Sequence, residues 1–133
     1  MHRCERRFPA RAEHVSAARC QVLDLARKTG MPDAALDDVR LAVSEAVSNA
    51  VLHGYRDGTA GDITVFAEAD DHRLKVVVTD EGCGMSPHGG SSGAGLGLPL
   101  IAELTETMSV RPGRSGHGTT LCMTFHLPVE TAA

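Results

Sequence analysis

The spacing of hydrophobic and polar positions changes several times along the chain, and each change marks an element. From Arg11 to Thr29, the residues Val15, Ala18, Val22, Leu25 and Ala26 recur at helical spacing, and Gly30 is the expected C-cap. A second helical run begins behind Pro32, with Asp33 as its expected N-cap, and continues to about His53, where Gly54 and Asp57-Gly58 stop it. On a wheel Leu36, Val39, Val43, Ala46, Val47 and Ala50 make one broad apolar face. The period then drops to two. Asp62 to Glu68 alternates with Ile63, Val65 and Ala67 on one side, and Leu74 to Asp80 is β-branched and nearly continuous. Asp70-Asp71-His72 between them predicts an antiparallel hairpin. Ser86 to Gly97 is glycine- and serine-rich and reads as a loop. A third helix is expected from Leu98 to about Thr107, with Pro99 tolerated in its first turn. A closing hairpin follows: Met108 to Arg111, a turn from Pro112 to Gly118, and Thr119 to Leu127 with Leu121, Met123, Phe125 and Leu127 on one face. Arg3 to Phe8 predicts a short first strand ended by Pro9.

Composition narrows the class. A chain of 133 residues fits one domain with its own core, and 42% hydrophobic with 23% charged residues is an ordinary globular balance. With no Trp, the core has to come from Val, Leu, Ile, Ala and Met. A net charge of −4 and the lack of a Lys/Arg cluster argue against direct contact with nucleic acid. No apolar run approaches membrane-spanning length, and the charged N-terminus lacks the apolar region of a secretory signal. Cys4, Cys20, Cys83 and Cys122 have no metal-ligand spacing, so free thiols in a cytoplasmic protein are the economical reading.

The second helix carries the first chemical signal. Glu45 is the one acidic or basic residue between Leu41 and His53, and Asn49 stacks one turn above it. Leu41, Ala42 and Leu52 flank the pair, so this side is expected to be covered too. A covered carboxylate and amide need polar partners, either backbone groups or a ligand.

Two further motifs suit a nucleotide. Asp80-Glu81-Gly82-Cys83-Gly84 places a carboxylate, which only accepts hydrogen bonds, at a strand end, with glycines beside it that let backbone approach a flat ring. An adenine amine is a fitting donor; a plain acidic turn is the alternative. Gly93-Ala94-Gly95-Leu96-Gly97-Leu98 opens a helix, where backbone N–H groups suit phosphate. It is no Walker A loop, because no Gly-Lys-Ser/Thr follows, and a poor dinucleotide fingerprint, because a loop rather than a strand precedes it.

The ordered set resembles the GHKL (Bergerat-fold) ATPase superfamily: Glu-x-x-x-Asn on a helix, Asp-x-Gly-x-Gly after a strand, a glycine loop into Gly-Leu-Gly-Leu, then Gly-Thr opening a strand. More narrowly, SEAVSNAVLHGYRDG and GLGLPLIAELTE are similar to stand-alone anti-sigma-factor serine kinases, and the likeness covers nearly the whole chain. The resemblance implies a single ATPase domain over residues 1–133, folded as a two-layer α/β sandwich. A mostly antiparallel sheet would carry three helices on one face, with ATP or ADP between the layers.

It also implies roles. Asn49 would hold Mg²⁺ and Glu45 would be the catalytic base toward a serine of a partner protein. Asp80 would bind the adenine amine, with Gly82 and Gly84 shaping the adenine wall and Thr119 supporting it. Gly93, Gly95, Leu96 and Gly97 would line the phosphate side. His53 either reaches that side or caps the helix. The implied partners are a sigma factor and an anti-anti-sigma (STAS) protein, with the chain acting as a homodimer. Two other readings stay open: a nucleotide-dependent partner-switching module without phosphoryl transfer, and a detached histidine-kinase-like domain acting on a separate histidine protein. The loop from Ser86 to Ala94 has no Lys or Arg, a departure from family lids that hold the γ-phosphate with a cation.

Overall fold

A computed structural model describes residues 1–54, 61–81, 97–113 and 117–127, the side chains of 53, 54 and 97 excepted. Five strands form one antiparallel sheet: β1 (His2–Pro9), β2 (Asp62–Ala69), β3 (Arg73–Asp80), β4 (Thr107–Pro112) and β5 (Thr119–His126), in the order β1-β2-β3-β5-β4. Helices α1 (Val15–Lys28), α2 (Asp33–Gly54) and α3 (Gly97–Leu104) lie on one face of it. The expected two-layer sandwich is the one that forms.

The alternating strands account for the core. Ile63, Val65 and Ala67 of β2, Leu74, Val76 and Val78 of β3, and Leu121, Met123 and Phe125 of β5 all turn toward the helices and are buried. They meet Ala18, Val22, Leu25 and Ala26 of α1 and the apolar face of α2. With period two, the intervening residues stand on the bare face, where Thr64, Phe66, Val77, Thr79 and Cys122 are half-buried. The β2–β3 connection closes on Asp70, whose carboxylate accepts the N–H groups of His72 at 2.7 Å and Arg73 at 2.8 Å. Those two bonds hold its carboxyl below the ordinary carboxylate range.

Several boundaries differ from the sequence expectation. Residues Ala12–His14 form a single 3₁₀ turn and α1 starts only at Val15, since Arg11 is extended and no side chain caps the helix start. The far end of α1 is as expected: Gly30 sits at φ +81 and its N–H donates to Arg27 O at 3.1 Å. Asp33 is the first helical residue of α2 rather than its cap, because Leu36 N–H already donates to Pro32 O at 2.9 Å. Its carboxylate therefore acts on the N-terminal end of the helix dipole. Helix α3 ends at Leu104 instead of Thr107. The Thr105 hydroxyl donates back to Ile101 O at 2.9 Å, and Glu106 N–H donates to Thr124 O at 2.7 Å, which starts the pairing of β4. Leu41 and Leu52 were expected to be covered; they are 42% and 63% exposed, and the buried surface of α2 is the face that carries Ala42, Val43, Ala46 and Val47. Absence of charge at those two positions does not mean burial.

Candidate functional site

The site begins where β3 ends. Asp80 continues the inward alternation of Leu74, Val76 and Val78, so its carboxylate faces the helix layer and is only 4% exposed. Across the ladder it stands opposite Thr119, the first residue of β5, itself 7% exposed. These two are the buried polar residues among those described, and each is engaged in an interaction. On the other side Asp80 pairs with Ile63 of β2, which supplies an apolar neighbour.

A turn built on two glycines presses against this strand end. Gly118 has φ +76, and a Cβ there would overlap the Asp80 carbonyl and come within 2.7 Å of Glu81 Cα. Gly113 donates its N–H to Gly118 O at 3.3 Å, and a Cβ on it would meet the His117 carbonyl. No side chain fits at either position, so the backbone of the β4–β5 connection lies directly on the backbone that delivers Asp80. Gly118→Ala is expected to lower unfolding stability by roughly 2–4 kcal/mol, combining left-handed strain with overlap. Chemical denaturation measures this; a loss under about 1 kcal/mol would mean that the turn can move away from Asp80.

The other expected site residues lie on α2, which packs over β3 and β5. Glu45 and Asn49 are both half-buried, one turn apart, on the flank of the helix rather than on its core face. Asn49 Nδ2 is buried and has no hydrogen-bond partner among the described residues. A side-chain amide presents two donors at one end and an acceptor oxygen at the other, and its orientation follows its partners. The buried end of Asn49 therefore suits a phosphate oxygen as it stands, or a cation with the amide turned over. Among the described residues no cluster of three His, Cys, Asp or Glu could hold a metal alone. This donor set fits a Mg²⁺ that arrives with phosphate groups and keeps water ligands, which needs only one or two protein oxygens.

Gly97 opens α3, one residue before the expected start at Leu98. Gly82, Gly84, Gly93, Gly95 and Leu96 lie outside the described residues, as does the position of the His53 side chain. The structure thus sets Asp80 opposite Thr119 at one end of the β3–β5 ladder, and Glu45 one turn from Asn49 on the helix packed over those strands. Two contributors were not foreseen. Gly113 is one, and its signal was the Pro112-Gly113 pair. The other is Arg19 of α1, which donates to Ser44 Oγ at 3.2 Å and to Ser16 Oγ at 3.3 Å, tying α1 to the residue before Glu45. Ser44 in turn donates to Arg40 O at 2.7 Å. Sequence spacing offers no signal for that bridge.

Comparison with known proteins places this geometry among relatives. The histidine kinase-like ATPase domain model matches residues 8–125. A Bacillus velezensis protein named serine-protein kinase RsbW is 32% identical, over 95% of this chain and 86% of that protein. The anti-sigma F factor of Clostridium acetobutylicum is 39% identical over 63% of this chain and 58% of its own. Among solved structures, that of the RsbU and RsbW domains of Rv1364c from Mycobacterium tuberculosis superposes with a TM-score of 0.74 at 25% identity. The match covers all of this chain and 35% of that longer one.

Proposed function

The chain belongs to the histidine kinase-like ATPase domain family, and from that premise we propose that it is an anti-sigma factor with ATP-dependent protein serine kinase activity. It would bind a sigma factor and phosphorylate an anti-anti-sigma (STAS) partner, acting as a cytoplasmic homodimer. No helix among the described residues is long and apolar enough to cross a membrane. The observation that carries the reading is the burial of polar groups in both layers. A buried Asp80–Thr119 pair closes one strand end, and the helix packed over those strands carries an Asn49 Nδ2 that is buried with no hydrogen-bond partner among the described residues.

In this reading Asp80 accepts the adenine amine, and Thr119 beside it fixes the carboxylate and the ring edge. Gly82 and Gly84 let backbone lie against the ring. Asn49 would hold Mg²⁺, whose charge, when bound, offsets that of the phosphates; Gly93, Gly95, Leu96 and Gly97 would supply N–H groups to the same oxygens, with His53 on that side. Glu45, one turn before Asn49, orients the incoming serine hydroxyl and takes its proton as the oxygen attacks the γ-phosphorus. ADP leaves, and the phosphoryl group ends on the serine oxygen. Positioning and charge neutralisation account for most of the acceleration in such transfers.

Calorimetric titration with ATP and ADP, with and without Mg²⁺, tests the pocket. Mg²⁺-dependent binding is expected, and absence of binding at near-millimolar nucleotide would sink the proposal. Asn49→Ala is expected to reduce the Mg²⁺-dependent gain in ATP affinity by about tenfold, with Mg²⁺-free binding little changed. An unchanged gain would remove Asn49 from the cation site. The loop from Ser86 to Ala94, without Lys or Arg, favours a second reading in which nucleotide switches partners and no phosphoryl group moves. Phosphate stable to acid on the partner would separate serine transfer from that reading and from histidine transfer.

A further inference from the structure

Among the described residues the exposed large hydrophobic side chains are Met1, Leu41, Leu52 and Val110. Met1 starts the chain and Val110 lies on the edge strand β4. The other two stand on α2, beside the residues that the proposed chemistry uses. Leu41, Glu45, Ser48 and Leu52 follow one another at steps of four, three and four residues, which sets them in one row along the helix. The row runs along the side turned away from Val39, Val43, Ala46 and Val47, which are buried. Asn49 lies between the row and that core face, so its Nδ2 is buried while Leu41 and Leu52 look outward.

The row is short of charge. Glu45 is the one charged residue from Leu41 to Leu52. Arg40, immediately before it, is paired with Asp37 at 2.8 Å. Arg19 is held at Ser44, to one side of the row. Helix geometry puts Leu41 about 6 Å along the axis from Glu45, and Leu52 about 10 Å from it in the other direction. The chemistry of transfer fixes what covers them. A base takes the proton of a hydroxyl at a heavy-atom separation of about 2.6–3.2 Å. The polypeptide that brings a serine to Glu45 therefore passes over the neighbouring positions of the same row. An aliphatic side chain there removes a leucine from water and shields the contact between Glu45 and the serine. A carboxylate there would face Glu45 with no cation in the row to offset it.

We propose that Leu41 and Leu52 select the protein substrate: they take the aliphatic side chains that lie on the two sides of the acceptor serine. The proposal rests on the kinase reading above and names a property of its substrate. Glu45 acts on the hydroxyl, and the two leucines set which serine reaches it.

The test uses the full chain with Mg²⁺ and radiolabelled ATP. The probe is a synthetic peptide library with a fixed central serine, randomised residues on both sides and no other serine or threonine. Labelled peptides are expected to be enriched in leucine, isoleucine, valine and methionine at one position or more on each side of the serine. Leu41→Lys should replace that preference by aspartate and glutamate on one side only, and Leu52→Lys on the other side only. With a single leucine-flanked peptide, Leu41→Lys should raise KM about tenfold with kcat little changed. A folding defect would instead lower the labelling of all peptides alike and leave the selection as it was. Calorimetry of Leu41→Lys with ATP, expected within about twofold of the parent, keeps nucleotide binding apart from substrate selection. Labelled peptides without an aliphatic preference, or a preference that both lysine variants retain, overturn this proposal and leave the kinase reading standing. A parent chain that binds ATP and labels no serine removes the kinase reading, and the selection by Leu41 and Leu52 falls with it.

Discussion

Glu45→Ala is expected to slow phosphoryl transfer to a partner serine by roughly 10²–10⁴-fold while ATP affinity stays within about threefold of the parent, the range general-base catalysis contributes. The split follows from where Glu45 sits. It lies on the flank of α2, half-buried, one turn from Asn49, and is not part of the core face carrying Ala42, Val43, Ala46 and Val47. Truncation to Ala at such a position favours the helix slightly and opens no core cavity. In the proposed reading adenine is recognised at Asp80 rather than on α2, so nucleotide affinity should not notice the change. Partner phosphorylation followed with radiolabelled ATP, beside calorimetry of the same sample, reads both quantities. Transfer at the parent rate would show that Glu45 is not the base. Loss of transfer and of nucleotide affinity together would make Glu45 a structural residue of the pocket.

Asp80→Asn is expected to lower affinity for both ATP and ADP by roughly 10- to 100-fold, the worth of one hydrogen bond to a charged group in a desolvated site. The substitution nearly preserves shape. It removes the charge and leaves one acceptor oxygen where there were two, so that oxygen must serve either the adenine amine or the partner Asp80 already has. Because Asp80 is 4% exposed, solvent cannot compensate. ATP and ADP should suffer equally, since the lost bond is to the base; an effect confined to ATP would move Asp80 to the phosphate side. Thermal unfolding without nucleotide separates this loss from a folding defect, as Asp80 also stands between Ile63 and Thr119 in the ladder.

Local patterning accounted for much of the fold. In α2 the apolar residues keep a steady 3.6-residue period, so burial of Leu36, Val39, Val43 and Val47 was legible directly. In β2 and β5 strict alternation did the same for Ile63 and Val65, and for Leu121 and Met123. Boundaries were harder where no strong stop exists. Residues 11–14 lack a capping side chain, so the change from a 3₁₀ turn to α1 leaves no trace in residue type. Thr105 and Glu106 are compatible with helix, and only the pairing partner on β5 draws the chain out of it. Sheet order is non-local, and no periodicity specifies that β5 lies between β3 and β4. Motif order pointed to Asp80 and Thr119 separately, but the cross-strand register is what makes them neighbours. The turn glycines and the Arg19–Ser44 bridge depend on backbone approach and tertiary distance, which spacing does not encode.

The pairing of β1 with β2 also governs the order of events during synthesis. β1 leaves the ribosome before α1 and α2, yet its register partners begin at Asp62 and end at Ala69, beyond both long helices. At roughly 5–20 residues per second, the strand waits several seconds before a partner exists. Throughout that interval it is an unpaired, β-prone segment beside other nascent chains. Three arginines against one glutamate give the strand the net charge that, as a general rule, discourages an exposed β-prone segment from associating.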